Sequence, residues 1–244
     1  MNSLRFSDGP LTVVCLAAHP DDVEIAVGGT LLTLAARGSV SGHWLTLTGS
    51  LERKAEAKAA AEEFLPGAQS TFYDFPDGRL PAYWNEVKDA VHAFAAGLPK
   101  VDVVFAPRPD DAHQDHRLLG VMAPTVWRDA QVLHYEIPKW DGDMSRPNAY
   151  VTIAPELARR KIEALDRHYR SQLDRDWWDE EMFLGLMRIR GMEARTRYAE
   201  AFHIGKTVLS FGQDTEAVST ADRDAEQVLE QWSDQPDAYE LASR

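Results

Sequence analysis

At 244 residues the chain is long enough for one α/β domain with a substantial core, alone or with a small appendage. Its formal charge of −13, from 26 Lys and Arg against 39 Asp and Glu, argues against nucleic acid and against an electrostatic hold on anionic membranes, because both carry phosphates that it would repel. One cysteine rules out an internal disulfide framework, no stretch approaches the ~18 apolar residues of a membrane span, and Met1 to Pro10 has no signal-peptide core, so a cytoplasmic location is expected.

The predicted elements alternate through the first half. Leu11 to Ala18 is almost wholly apolar and stops abruptly at a polar cluster, as a central parallel strand does at its carboxyl end. It carries Cys15, for which a core role is expected. Val23 to Arg37 reads as a helix ended by Gly38, with a Gly28-Gly29 pair that permits close backbone approach. Val40 to Thr48 is a second strand, and Leu51 to Leu65 an alanine-rich helix stopped by Pro66-Gly67. Thr71 to Phe75 reads as a short third strand, Tyr83 to Leu98 as a helix, and Val101 to Ala106 as a fourth strand ending at Pro107. A helix from about Arg117 to Ala130 and a fifth strand from Val132 to Ile137 follow. This order predicts an α/β fold, a Rossmann-like doubly wound, mostly parallel sheet flanked by helices.

The second half is expected to be more helical. Pro155 to His168 and Trp178 to Glu200 both read as helices, with Ser171-Gln172 and Trp177-Trp178 between them over the mouth of the site. The two tryptophans could stack on a sugar ring, or serve as core or subunit-interface residues; His203 could line the pocket or be structural. Residues 1–212 are expected to form a single domain, and 213–244 an acidic tail that is disordered or weakly helical.

Two histidine-carboxylate clusters carry the chemistry: His19-Pro20-Asp21-Asp22 after the first strand and His113-Gln114-Asp115-His116 after the fourth. In open α/β sheets the crevice beyond the carboxyl ends of the strands binds ligands, so clusters distant in sequence can meet there. A catalytic zinc takes roughly three ligands from His and Asp or Glu and keeps one position open. His19, Asp22 and His116 supply such a set, while Asp21 could act as general base and His113 could stabilise an oxyanion or protonate a leaving amine, held in the right tautomer by Asp115. Taken singly, Asp-Asp is an ordinary helix cap and His-x-x-His an ordinary surface pair; it is their conjunction after two apolar strands that points to a metal hydrolase.

Ala18-His19-Pro20-Asp21-Asp22-Val23-Glu24-Ile25, followed by Gly28-Gly29-Thr30-Leu31, resembles the signature of the LmbE-like, or PIG-L-type, zinc-dependent N-deacetylases. His113-Gln114-Asp115-His116-Arg117 is similar to that family's His-Pro-Asp-His motif, with Gln114 in the proline's place. Phe75-Pro76-Asp77-Gly78-Arg79-Leu80, Arg53 with Glu56, Ser171-Gln172 and Tyr198-Ala199-Glu200-Ala201-Phe202 match further segments. The resemblance implies His19, Asp22 and His116 as metal ligands, Asp21 as base, and His113 backed by Asp115 at the transition state. It also implies Zn2+, or another divalent ion such as Fe2+, as cofactor, and a small amino-sugar substrate.

The chain departs from the family at Thr48-Gly49-Ser50-Leu51-Glu52-Arg53, which is shorter than the family's glycine-rich loop and leaves the substrate open. Arg53 and Asp77 are candidate substrate contacts; the plainer readings are a solvated helix-start arginine and an ordinary Asp-Gly turn. Removal of an N-acetyl group from an N-acetylglucosamine-like sugar is the function expected. A different electrophile, such as a non-sugar amide or phosphoester, and a metal-bearing binding protein are the rivals, and the oligomeric state stays open. A nucleotide site is disfavoured, because two aspartates stand where a phosphate loop would be.

Overall fold

The computed structural model describes residues 5–6 and 8–209. The chain divides into one compact unit, Met1–Gly205, and a second, Lys206–Arg244, of which only 206–209 are described and form neither helix nor strand. The acidic tail expected at 213–244 lies outside the described residues.

The first unit is built on β1 (Leu11–Ala17), β2 (Val40–Thr46), β3 (Gln69–Phe72), β4 (Val103–Pro107), β5 (Gln131–Tyr135), β6 (Ala149–Ile153) and β7 (Tyr198–His203). They form one sheet in the order β3-β2-β1-β4-β5-β7-β6. Pairing is parallel from β3 through β5 and antiparallel for β5 with β7 and β7 with β6, so the sheet is mostly parallel with an antiparallel edge.

Six α-helices cover it: α1 (Asp22–Arg37), α2 (Leu51–Phe64), α3 (Trp84–Ala96), α4 (Gln114–Val126), α5 (Pro155–His168) and α6 (Glu180–Glu193). The near-continuous apolar run of β1 reflects burial on both faces. Val13, Cys15 and Ala17 pack into one core with side chains of α1, α2, α5 and α6, while Val14, Leu16 and Ala18 pack into another with those of α3 and α4. The chain winds outward from β1 to β3 and then restarts at β4 on the other side of β1. The crevice between the carboxyl ends of β1 and β4 is therefore the topological switch point. No described helix is long and apolar enough to cross a membrane.

Three elements differ from expectation. The helix expected from Trp178 to Glu200 ends at Glu193, and Tyr198–His203 is instead β7, inserted between β5 and β6. Gly191 permits the turn between them: a Cβ there would lie 2.5 Å from the Arg197 carbonyl oxygen, and Thr196 N donates to Gly191 O at 2.8 Å. Tyr-Ala-Glu-Ala-Phe has helix-forming residues, and two flanking strands override that preference. Its neighbour β6 was not expected at all; it is a short edge strand with only Ile153 fully buried. The third strand, expected at Thr71–Phe75, is Gln69–Phe72.

Candidate active site

Both clusters sit at the switch point. After β1 the chain turns at Pro20, and Asp21 adopts φ 98°, a left-handed conformation that aspartate tolerates better than most residues, before α1 begins at Asp22. The turn is seated by the segment that follows β2: Gly49, at φ 110°, comes so near that a Cβ would lie 2.4 Å from Pro20 Cγ, and Thr48 Oγ1 donates to Ala18 O at 2.7 Å. On the other side Gly120 of α4 lies against the end of β4, where a Cβ would stand 2.6 Å from the carbonyls of Pro107 and Arg108. The first turn of α4 is thereby pressed toward β1.

The result is a tight group of ligand atoms from three residues. His19 Nδ1 lies 3.1 Å from His116 Nε2 and 3.5 Å from Asp22 Oδ2, and His116 Nε2 lies 3.3 Å from Asp22 Oδ1. Nitrogen and oxygen ligands about 2.0–2.2 Å from a tetrahedral zinc stand about 3.3–3.6 Å from one another, so this spacing fits one such ion. His19, Asp22 and His116 are 8%, 4% and 4% exposed. His113 offers a further nitrogen within 4.8 Å of those of His19 and His116. His19, Asp77 and Asp115 form an overlapping group of the same kind.

The electrostatics also fit a cation. Burial opposes the charging of His19 and His116, yet the carboxylates around them prevail. His19 is raised well above an ordinary imidazole, chiefly by Asp22, and His116 is raised to about 9 by Asp22 and Asp111. Burial pushes Asp22 up, but the two histidines outweigh it and hold its carboxyl well below the usual range. The carboxylates thus favour positive charge in this pocket, which a metal ion would supply in place of the histidine protons. His19 Nε2 is buried, 3.1 Å from Asp77 Oδ1 and 3.4 Å from Asp115 Oδ2, without hydrogen-bond geometry to either.

Asp21 stands beside the group with a 6% exposed side chain and does not share in it. Its carboxylate accepts from Arg53 Nη2 at 2.9 Å, and the same nitrogen donates to Pro20 O at 2.7 Å. Burial pushes Asp21 up to about 7, an effect that Arg53 reduces and the neighbouring Asp22 carboxylate reinforces. Arg53 is therefore tied inward rather than solvated. Its place in the first turn of α2 is fixed by Ser50, whose Oγ accepts from Arg53 N at 3.3 Å. Asp77 lies in a turn whose Gly78 takes φ 72°, and its side chain stays 59% exposed while touching His19.

His113 is the N-cap of α4, with Nδ1 accepting from Asp115 N at 3.3 Å. That bond fixes the neutral tautomer with the proton on Nε2, directed away from the helix. Burial, with the nearby His116 and His19, lowers its pKa and keeps it neutral. The expected support of His113 by the Asp115 carboxylate is corrected here: the contact is through the Asp115 backbone, while the carboxylate accepts from Gly78 N at 2.8 Å and Leu80 N at 3.0 Å. Asp115 holds the Asp77 turn in place. A buried residue absent from the expectations, Asp111, supports His116, with Oδ2 3.3 Å from His116 Nδ1 and 3.0 Å from Lys139 Nζ. Its position in Asp110-Asp111, just ahead of the second cluster, is the signal that could have revealed it.

The two aromatic candidates resolve differently from one another. Trp178 is 8% exposed, stacked among Tyr169, Trp177 and Phe183, with its indole N–H on Asp166 Oδ1 at 2.9 Å; it is a core residue. Trp177 is half-buried. His203 closes β7 with Nε2 2.8 Å from Ser145 Oγ.

The profile of the PIG-L family, described as GlcNAc-PI de-N-acetylase, matches residues 14–127, which span both clusters. Residues 14–127 of the chain are thus similar to the PIG-L, or LmbE-like, family. Among curated proteins, the uncharacterized deacetylase YaiS of Escherichia coli is 27% identical over 168 residues, covering 64% of this chain and 89% of that protein. The diacetylchitobiose deacetylase of Thermococcus kodakarensis is 26% identical over 223 residues, covering 77% and 80%. Among solved structures, the conserved protein TT1542 of Thermus thermophilus superposes with a TM-score of 0.64 at 25% identity, covering 84% of this chain and 99% of that one.

Proposed function

We propose that this protein is a metal-dependent hydrolase that removes the N-acetyl group from an N-acetylglucosamine-like amino sugar, with zinc as the ion. The observation that carries this reading is the trio of His19 Nδ1, Asp22 and His116 Nε2, 3.1–3.5 Å apart, beside a buried carboxyl that belongs to none of them. The diacetylchitobiose deacetylase among its relatives supports the substrate class.

In this reading His19, Asp22 and His116 hold the ion, which supplies a Lewis acid for the acetyl carbonyl oxygen and a water of lowered pKa. Asp21, raised to about 7, is poised near neutral pH both to accept a proton from the attacking water and to return it to the leaving amine nitrogen as the C–N bond breaks. His113, neutral and with its proton on Nε2, donates a hydrogen bond to the oxygen that becomes negative, a contribution worth about 3–4 kcal/mol for a well-placed donor. Arg53 keeps Asp21 aimed, and with the exposed Asp77 forms the rim on which sugar hydroxyls bind. Asp115 acts by fixing that rim. A cytoplasmic setting belongs to the same reading and suits a chain whose single cysteine is buried.

The test is acetate release from a panel of N-acetylated amino sugars by zinc-loaded protein, with Asp21→Asn and chelated protein as controls. Release that both controls abolish supports the proposal, and absence of release from protein that holds zinc sinks it.

A further inference from the structure

Helix α1 is gripped by a buried ion pair behind the site. Glu200 of β7 accepts from Gly29 N through Oε1 and from Thr30 N through Oε2, both at 2.7 Å. In a regular helix those N–H groups serve the carbonyls of Ile25 and Ala26. The Ile25 carbonyl receives Lys161 Nζ of α5 at 2.5 Å, and Lys161 Nζ also pairs with Glu200 Oε1 at 2.7 Å. Lys161 and Glu200 are 2% and 3% exposed.

The double glycine makes room for this arrangement. A Cβ on Gly29 would lie 3.0 Å from Glu200 Oε1, and one on Gly28 would lie 2.7 Å from Phe64 and 3.2 Å from Lys161. A carboxylate taking two successive N–H groups is the pattern of an N-cap, here in mid-helix. It anchors α1 at Gly29 and Thr30, directly behind the piece from Asp22 to Ile25 that begins the helix. That piece is gripped at its far end by an ammonium reaching in from α5.

We propose that Lys161 and Glu200 are positioning residues for the metal-holding turn: the pair sets where Asp22 stands relative to His116. The inference rests on the reading of His19, Asp22 and His116 as ligands. Asp22 is on the first turn of α1, whereas His116 is on α4, at the other cluster. His19 N holds the Asp22 carboxylate at 2.8 Å, and the 3.3 Å spacing to His116 depends further on where the start of α1 is anchored, which Lys161 and Glu200 set from behind. Neither residue touches the ligand atoms, so substrate affinity is not their concern.

The test uses the full chain. Single variants leave a buried charge unpaired and risk unfolding, so the informative protein is Lys161→Met with Glu200→Gln, which removes both charges and keeps both shapes. Its control is Val91→Ala in α3, on the opposite face of the sheet. Zinc affinity is measured by competition with a chromogenic chelator, and backbone amide exchange is followed at Val23–Ala26 in zinc-free protein. Weakening of zinc binding by about 10–100-fold, the range typical of lost ligand support, with exchange at Val23–Ala26 accelerated more than at Leu31–Leu34, is the expected result; where acetate release is observed, kcat falls at least as much while KM holds. Zinc affinity and exchange equal to those of Val91→Ala at a matched Tm would make the pair merely structural and overturn the proposal. If the wild-type protein binds zinc but releases no acetate, the deacetylase reading fails while this inference is still decided by affinity. If it binds no zinc, exchange alone decides.

Discussion

Arg53, in the first turn of α2, donates from one nitrogen both to the carboxylate of Asp21 and to the carbonyl of Pro20, at 2.9 Å and 2.7 Å. The residue read as a candidate substrate contact is thus the group that balances the burial of Asp21. Burial lifts that carboxyl to about 7, and Arg53 is the largest influence in the other direction. Asp21 must be deprotonated to accept a proton, so activity is lost as pH falls through its pKa. Removing Arg53 raises that pKa further. In Arg53→Ala the acidic limb of the kcat/KM profile is expected to move toward higher pH by about one unit, measured as acetate release across pH 5–9. A limb left in place, with only KM raised, would make Arg53 a sugar contact alone.

Asp21→Asn keeps the size of the side chain and the bond from Arg53, but cannot take a proton. We expect kcat to fall by about 10²–10⁴-fold, the usual worth of a positioned general base. Zinc content by elemental analysis should stay at the wild-type level, because Asp21 is not among the three grouped ligand residues.

His113 has two separable tasks in the proposed mechanism: its Nδ1 caps α4, and its Nε2–H is the donor to the oxyanion. His113→Asn can keep the cap and lose the distal donor, so Tm should hold while kcat drops by about 10²–10³-fold. His113→Ala should lose both, with an added cost of about 1 kcal/mol in unfolding free energy. Equal Tm losses in the two variants would show that the cap contributes little.

Asp111 reaches the outer nitrogen of His116 and is itself held by Lys139. Asp111→Asn should weaken zinc binding by about 10–100-fold. An ion that binds only the folded state stabilises it, so chelation should lower the wild-type Tm, and the zinc-dependent gain should be smaller in the variant at the same free zinc. Calorimetry with and without chelator measures both.

The buried pair of Arg190 on α6 and Glu136 just beyond β5 is bidentate, with Nε to Oε1 and Nη2 to Oε2 both at 2.7 Å. Arg190→Met strands the Glu136 carboxylate in the interior, and about 3–5 kcal/mol of stability should be lost. Equilibrium urea unfolding measures it, and Arg190→Met with Glu136→Gln should recover a good part.

What could be read from the residues and what could not divide along a physical line. The apolar runs of β1 and β4, the abrupt polar clusters after them and the alternation of strand and helix fixed the parallel core and its switch point, because strands buried on both faces must be apolar throughout. The two histidine-carboxylate clusters marked the candidate site for a related reason: metal chemistry admits few residue types at few spacings. Partnership was not legible. Nothing in Tyr-Ala-Glu-Ala-Phe says that two strands flank it, so β7 was read as helix and β6 was missed. Nothing around Asp115 says that its carboxylate turns to Gly78 and Leu80 while its N–H turns to His113. Asp111, Lys161 and Glu200 are ordinary charged residues until folding buries them against His116 and α1. The sequence by itself determined which chemical groups this protein carries and at which strand ends they sit. Only the tertiary structure decided which of those groups are charged, which are aimed and which are braced, because desolvation and hydrogen bonding act between neighbours that the chain brings together from far apart.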